Sequence, residues 1–423
     1  MSELQVRQTP SKRGDPFPWL LRMLREPYIQ LLASQVLTGV VALAANILMV
    51  RSLTPTHRGE VALMLQVVYL ATQVLLLGTE RSFVASYHNV SPAPAVRAYA
   101  SLLAVPALLF LGGAVLYALV APQRYTPGAL IIGMLAWYAL IEAAGLATRS
   151  IAIAVGRVRD FLFCRVIEAV LLLGGLVALY VAGAAHPETW FLAYLVAGAA
   201  PTIVYLVIWL RLPVLDTDSP ITAAQNRLVR REGLSLFPAA LSNMAMLRVD
   251  RLVIPALAST AALGLYASVA TMTELLAWPL RAYADSRLGR WRASYREGTL
   301  QAKKIVVAAA VYVLVVVPFA AGGLYLLIEP LFGHHYAPAK VIVLPLVAAA
   351  GLYAVSRVSL GLLIAKGHGG LVSAAEITGF VVSFAAYILL IPKIGILGAA
   401  WGSLLGYGAC LIFALIATRV VTK

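Results

Sequence analysis

The chain has 423 residues, of which 61 % are hydrophobic and 12 % are charged, and its formal net charge at pH 7 is +15. Soluble domains are about 45–50 % apolar and about 25 % charged, so this composition excludes a soluble globular protein. A strongly basic chain can indicate nucleic-acid binding, but the distribution of the positive charges along this chain indicates membrane topology instead.

Apolar segments long enough to cross a bilayer recur about twelve times, since a spanning helix needs about 20 mostly apolar residues. The alternation typical of membrane barrels is absent, so we expect helices. The weakest span contains Arg248, Asp250 and Arg251. The predicted spans are 29–50, 60–86, 98–121, 128–154, 162–185, 189–211, 234–256, 262–286, 303–328, 340–366, 371–391 and 397–420. The sequence therefore predicts an all-α polytopic membrane protein.

Positive residues alternate between the loops that join these spans, and Lys and Arg favour the cytoplasmic side. If the N-terminus lies inside, the outside segments hold only Arg51, Arg58, Arg124, Lys340 and Lys393. The remaining loop Lys and Arg all lie in inside segments. We therefore expect both termini in the cytoplasm and a location in the inner (cytoplasmic) membrane. The basic excess then faces the anionic inner leaflet, and nucleic acid is not an expected partner.

The order of the spans predicts two six-helix bundles. We expect a cytoplasmic tail with an interfacial helix at 1–28, an N-terminal bundle at 29–211, a cytoplasmic linker at 212–233 and a C-terminal bundle at 234–423. Because six is even, both bundles keep the same orientation, as parallel repeats do, around a central cavity.

Weak self-similarity supports this division. Residues 49–62 align with 254–267, which places Gly59 opposite Gly264. Glu80 and Asp285 are separated by the same number of residues as Gly59 and Gly264. A second pair of segments, 151–157 and 362–368, is separated by nearly the same number. We interpret these matches as traces of an internal repeat.

The segment 392–407 (PKIGILGAAWGSLLGY) resembles the signature before the last helix of polysaccharide and oligosaccharide flippases. That family belongs to the multidrug/oligosaccharidyl-lipid/polysaccharide exporter superfamily. Residues 49–60, 248–267 and 327–339 fit the same pattern. The resemblance implies a cationic cavity, alternating access and outward movement of a polyprenyl-diphosphate-linked oligosaccharide for cell-surface polysaccharide assembly. The expected partners are this lipid-linked oligosaccharide, the bilayer and proteins of polysaccharide assembly.

Ionisable residues interrupt several predicted spans, and each costs at least about 2.5–3.5 kcal/mol at bilayer depth unless it faces a cavity or a partner. Arg248 and Arg251 are three residues apart and share a helix face, so Asp250 cannot neutralise both. Two such guanidinium groups suit a diphosphate, and Arg357 in the tenth span is a candidate to join them. Alternatively, these arginines pair with acids on neighbouring helices, such as Glu142 or Glu274.

Two further groups of charges have candidate roles. Arg281 and Asp285 have the spacing of a helical ion pair, as do Arg165 and Glu168. Near the predicted inner ends of the spans, Arg281 and Asp285, together with Glu80 and Arg81, are candidates for an entrance or gate. Glu142 and Glu274 lie mid-span, where a buried carboxylate can couple transport to protons.

No motif indicates a catalytic, metal or nucleotide site. The adjacent His334 and His335 lack a third ligand, and the phosphate-loop pattern is absent. We therefore expect neither an enzyme nor a cofactor. The alternative function is a multidrug or organic-cation antiporter of the same superfamily, which requires acidic residues in the first bundle. A membrane glycosyltransferase, polymerase or ligase is the enzyme alternative, but the predicted outside loops are short for such chemistry.

Overall fold

A computed structural model describes residues 27–87, 90–120, 128–213 and 221–421. The interfacial helix predicted in the N-terminal tail lies outside these residues. The described chain is helical throughout, apart from short connections. The helices are α1 (Pro27–Ser52), α2 (Pro55–Leu76), α3 (Thr79–Ser86), α4 (Pro92–Val120), α5 (Ala129–Val155), α6 (Val158–Val181), α7 (Pro187–Arg211), α8 (Ala223–Arg248), α9 (Asp250–Leu257), α10 (Thr260–Leu275), α11 (Trp278–Arg296), α12 (Ala302–Phe332), α13 (Val343–Ala365), α14 (Gly369–Ile394) and α15 (Ile396–Val420), with a 3₁₀ helix at His334–Ile342.

Nine helical segments of the described chain are long and apolar enough to cross a membrane, and the bent pair α10–α11 makes a tenth. Their outer faces are apolar, as contact with lipid requires: Leu119 on α4 and Phe319 on α12 are 79 % and 80 % exposed. This confirms the predicted all-α polytopic membrane fold. Two predicted spans are not among these. The described side chains of α1 begin at Val36, so its described apolar stretch is Val36–Ser52, and the span 234–256 is divided between α8 and α9.

Three of the expected spans are broken rather than continuous. The span 60–86 is interrupted between α2 and α3, where Leu77 and Gly78 both have positive φ angles of 48° and 72°. Two left-handed residues in succession end the α-helical hydrogen-bond pattern. The span 234–256 breaks at Val249, amid its charged run, and the span 262–286 bends by 42° between α10 and α11.

The segment 212–233, predicted as a linker, contains the first turns of α8. Thr222 and Gln225 form a capping box that starts this helix. These first turns of α8 contact the N-terminal helices: Ser82 Oγ donates to the Val229 carbonyl at 2.9 Å, and Tyr87 Oη donates to Asn226 Oδ1 at 2.7 Å. Polar side chains therefore attach the start of α8 to α3 and to the residue that follows α3.

The sequence halves meet where α2 packs against α10. A Cβ atom at Gly59 would lie 1.9 Å from the Thr260 carbonyl oxygen, and one at Gly264 would lie 1.8 Å from the Pro55 carbonyl oxygen. Only glycine allows the two backbones to approach this closely. The residues matched in the sequence repeat are thus direct neighbours across the contact, which we call the α2–α10 seal.

The starts of α2 and α10 also match in detail. Thr54 caps α2 by accepting from the His57 N–H, and Ser259 caps α10 by accepting from the Ala262 N–H. A side-chain oxygen at this position satisfies one of the free N–H groups of the first turn. The two caps stand at the sequence offset that separates Gly59 from Gly264, which supports the repeat.

Candidate substrate cavity

A cavity with two adjoining lobes lies between the N-terminal and C-terminal helices. The first lobe, of about 330 Å³, is bounded mainly by α5, α10, α13 and α15. The second, of about 280 Å³, is bounded mainly by α1, α2, α6 and α10. Both lobes are lined by Thr38, Arg165, Arg248, Glu274 and Trp278. The shared lining residues place the two lobes next to each other.

Arg248 and Arg251 converge on one carboxylate in this cavity. Glu274 on α10 accepts from Arg248 through its second oxygen at 3.0 Å and from Arg251 through its first. The alternative pairing predicted with Glu274 is therefore present. Because a single carboxylate serves two guanidinium groups, the cluster keeps a net positive charge. We call these three residues the arginine cluster.

Asp250 does not neutralise the cluster through a side-chain ion pair. Its carboxylate accepts from Tyr266 Oη at 2.6 Å and from the Arg251 backbone N–H at 2.8 Å, and the residue is buried. Tyr266 Oη lies 3.1 Å from Ser403 Oγ, which lies 2.9 Å from Tyr387 Oη. This network connects α9 and α10 to α14 and α15, so Asp250 has a positioning role.

Several other charges line the same cavity. Arg248 also lies over the ring of Tyr69, 5.6 Å from the ring centroid, which is a cation–π distance. Arg165 and Glu168 form the expected pair at 2.7 Å. Glu142 lines the second lobe, and no ion pair reaches it within the described residues.

Arg357, predicted to join the arginine cluster, does not line either lobe. Its Nη1 donates to Glu376 Oε1 at 2.8 Å, and the Asn243 amide donates to the same oxygen at 2.9 Å. Both charged side chains are largely enclosed, with Arg357 14 % and Glu376 7 % exposed. A low-dielectric site on α13 and α14 favours an internal partner, so Arg357 serves the structure of the C-terminal half.

The predicted gate residues are only partly brought together. Arg281 lines the first lobe beside Arg149, and both are exposed. Asp285 is exposed as well, and no ion pair joins it to Arg281 in the described chain, because water can solvate each charge separately. Glu80 is half-buried on α3 and lines neither lobe, and the side chain of Arg81 lies outside the described atoms.

Arg58 is a cavity residue that loop counting assigned to the outside. It lies in the first turn of α2, is 4 % exposed and lines the second lobe. Its Nη2 donates to Asn46 Oδ1 at 3.0 Å, and the Asn46 amide donates to the Ser268 carbonyl at 2.9 Å. Thr54 and Pro55 mark a helix start and so place Arg58 on a helix, but they carry no signal of its burial in the cavity.

Taken as a whole, the cavity wall has more guanidinium groups than carboxylates. The carboxylates are Glu142, Glu168, Asp250 and Glu274, and the guanidinium groups belong to Arg58, Arg149, Arg165, Arg248, Arg251 and Arg281. Such an interior attracts anions, and arginine in particular can hold a phosphate through two parallel hydrogen bonds.

No family model and no curated protein sequence matches this chain. Solved structures do match. An inward-facing multidrug resistance MATE family transporter of the MOP superfamily has a TM-score of 0.70 and 15 % identity over 91 % of this chain and 94 % of its own. The chain has the fold of MOP-superfamily transporters.

Two other structures show the same fold. The lipid II flippase MurJ in an inward closed conformation has a TM-score of 0.62 and 11 % identity, over 92 % of this chain and 87 % of its own. An outward-facing MATE family transporter has a TM-score of 0.58 and 15 % identity, over 97 % of each chain. The similarity in fold therefore covers nearly the whole of this chain, and the similar structures represent several conformations.

Proposed function

We propose that this protein is a flippase that moves a polyprenyl-diphosphate-linked oligosaccharide from the cytoplasmic to the outer leaflet by alternating access. The observation that carries the proposal is the arginine cluster, in which Arg248 and Arg251 share one carboxylate, that of Glu274, as their ion-pair partner among the described residues, inside a cavity between the two halves. The similar MurJ structure is that of a lipid II flippase. In this proposal the termini lie in the cytoplasm, the membrane is the cytoplasmic one, and no reaction is catalysed.

The physical task explains why a basic interior helps. The hydrocarbon tail can stay in lipid, whereas a charged sugar-diphosphate head needs a polar route across the hydrocarbon core. An inside-negative potential favours outward movement of an anion by about 2.3 kcal/mol per charge per 100 mV. Two phosphate charges thus provide about 4–5 kcal/mol at that potential without a coupling ion.

The test is delivery of the sugar unit to the outer face by cells that depend on this protein. Arg248→Glu and Arg251→Glu should each abolish delivery, because a carboxylate in place of either guanidinium repels the diphosphate. Arg287→Glu is the matched control, since Arg287 is a half-buried arginine on α11 that lines neither lobe. Normal delivery in both cluster variants would refute the site.

A multidrug or organic-cation antiporter is the second candidate function. It is favoured by the MATE family structures with this fold and by the Glu142 carboxylate, which lines the second lobe without an ion pair in the described chain. The charge balance of the cavity disfavours it, because the guanidinium groups repel cations. Accumulation of a fluorescent organic cation in cells separates the two candidates: an antiporter lowers accumulation, and the loss of this effect in Glu142→Gln would identify the cation site.

A further inference from the structure

Arg58 combines deep burial with unused hydrogen-bonding capacity. Its Nε and Nη1 atoms are buried and have no hydrogen-bond partner within the described residues. The Nε2 atom of Gln66, which lines the same lobe, is likewise buried without a partner in that part of the chain. Unsatisfied buried donors are costly, so a native protein that keeps several in one cavity has a use for them.

The donors around Arg58 suit an anion. The two edges of a guanidinium group that can hold a phosphate with two parallel hydrogen bonds are Nε with Nη2 and Nη1 with Nη2. On either edge of Arg58 one nitrogen is free within the described residues and the other, Nη2, now donates to Asn46. Arg58 also lies in the first turn of α2, where the helix dipole adds partial positive charge. No carboxylate pairs with Arg58 in the described chain, in contrast to the arginine cluster with Glu274.

Arg58 and the arginine cluster are at different places along one path. Both Arg58 and Arg251 line the second lobe, but Arg58 lies beside the α2–α10 seal, which the loop charges place at the outer end. Arg248 also lines the first lobe, which Arg58 does not. An anion that enters at the first lobe therefore meets the cluster before it meets Arg58.

Arg58 is also connected to the contact between the halves. Its bond to Asn46 orients that amide, which in turn donates to the Ser268 carbonyl on α10. A phosphate that binds the guanidinium competes with Asn46 for the same side chain. Loss of the Asn46–Ser268 bond would weaken the connection between α1 and α10 next to the seal.

We infer that Arg58 is a second binding position for the diphosphate head, and that its occupation loosens the outer contact between the two halves. This inference rests on the proposed function for its cargo. In the transport cycle the head passes from the arginine cluster to Arg58, and the outer side opens because the ligand stabilises that state. A ligand shifts a conformational equilibrium only by binding one state more tightly, and Arg58 provides such a differential contact.

The experiment measures opening of the outer end in the full-length protein in lipid nanodiscs. Cys164 and Cys410 are replaced by alanine, and spin labels are attached at Thr56→Cys and Ala258→Cys, two exposed positions on either side of the seal. Double electron–electron resonance then reports the distance between the labels. The probes are geranylgeranyl diphosphate and, separately, inorganic diphosphate, and the affinity of each is measured in the same samples.

With geranylgeranyl diphosphate we expect the long-distance population to rise about threefold or more in the parent protein. Arg58→Gln should abolish this rise while the affinity for the probe falls by less than about threefold, because the cluster still binds it. Arg58→Lys should keep at least about half of the rise, since it loses the bonding geometry but keeps the charge. Lys393→Gln is the control, because exposed Lys393 is another cation of the predicted outer end and lines neither lobe.

The outcomes separate two failures. If the parent protein binds and opens but Arg58→Gln opens equally, the second position is refuted and the proposed function stands. Equal loss in Arg58→Gln and Arg58→Lys also refutes it, since a structural role alone explains that result. If the parent protein binds neither probe, the diphosphate cargo itself is refuted. Opening with inorganic diphosphate as well would show that the head alone is recognised, and opening with the lipid probe alone would show that the tail is required.

Discussion

Glu274 is the single acid of the arginine cluster, and its neutralisation tests the electrostatic argument most directly. Glu274→Gln removes one negative charge while keeping the shape of the side chain. Arg248 and Arg251 then have no ion-pair partner in the described chain, although a weaker hydrogen bond to the amide oxygen can remain. The free protein should lose stability and the diphosphate should gain affinity.

The magnitudes follow from charge and exposure. At about 5 Å and an effective dielectric constant of about 20, one unit of charge changes the interaction with an anion by about 3 kcal/mol. Glu274 is 31 % exposed, so solvent screening reduces this to about 1.4 kcal/mol, or about tenfold in affinity. Loss of two charge-assisted hydrogen bonds should lower the free energy of unfolding by about 2 kcal/mol.

The assays are equilibrium binding of geranylgeranyl diphosphate and unfolding of the purified protein with and without it. We expect Glu274→Gln to bind about tenfold more tightly, with the bound probe restoring the lost stability. Glu376→Gln is the control, because it removes a carboxylate from Arg357 outside the cavity and should destabilise the protein without changing affinity. Unchanged or weaker binding by Glu274→Gln would refute a diphosphate position at the cluster.

Two further predictions concern the framework around the cavity. Gly59→Ala or Gly264→Ala should prevent the α2–α10 seal from closing, because the added Cβ would lie 1.9 Å or 1.8 Å from a carbonyl oxygen of the facing helix start. The spin-label distance across the seal should therefore lengthen without ligand. Gly112→Ala is the control and should leave this distance unchanged, because no atom lies within 4 Å of its added Cβ. Arg357→Gln should lower the free energy of unfolding by about 3 kcal/mol, since it leaves Glu376 buried without its cation, yet binding of geranylgeranyl diphosphate per folded molecule should stay within about twofold of the parent protein. A loss of binding there would show that Arg357 contacts the cargo after all.

The sequence by itself determined the parts that depend on local composition. Twenty-residue apolar segments cannot be stable in water, so the polytopic helical fold follows from their recurrence. The predicted spans begin at 60 and 262, a few residues after the starts of α2 and α10, which Thr54 and Ser259 cap through contacts within three residues. The match between Gly59 and Gly264 also survives in the sequence, because each glycine is required by close backbone contact.

Other features depended on neighbours that are distant in the chain, and only the tertiary structure decided them. Arg248 and Arg357 are similar in hydropathy plots, but one meets Glu274 in a cavity and the other meets Glu376 in a packed interior. The loop-charge count assigned Arg58 to an outside segment because that count considers only the position of a residue along the chain. Burial depends on how helices pack together, and packing of α1 and α2 against α10 is what encloses Arg58 beside the seal.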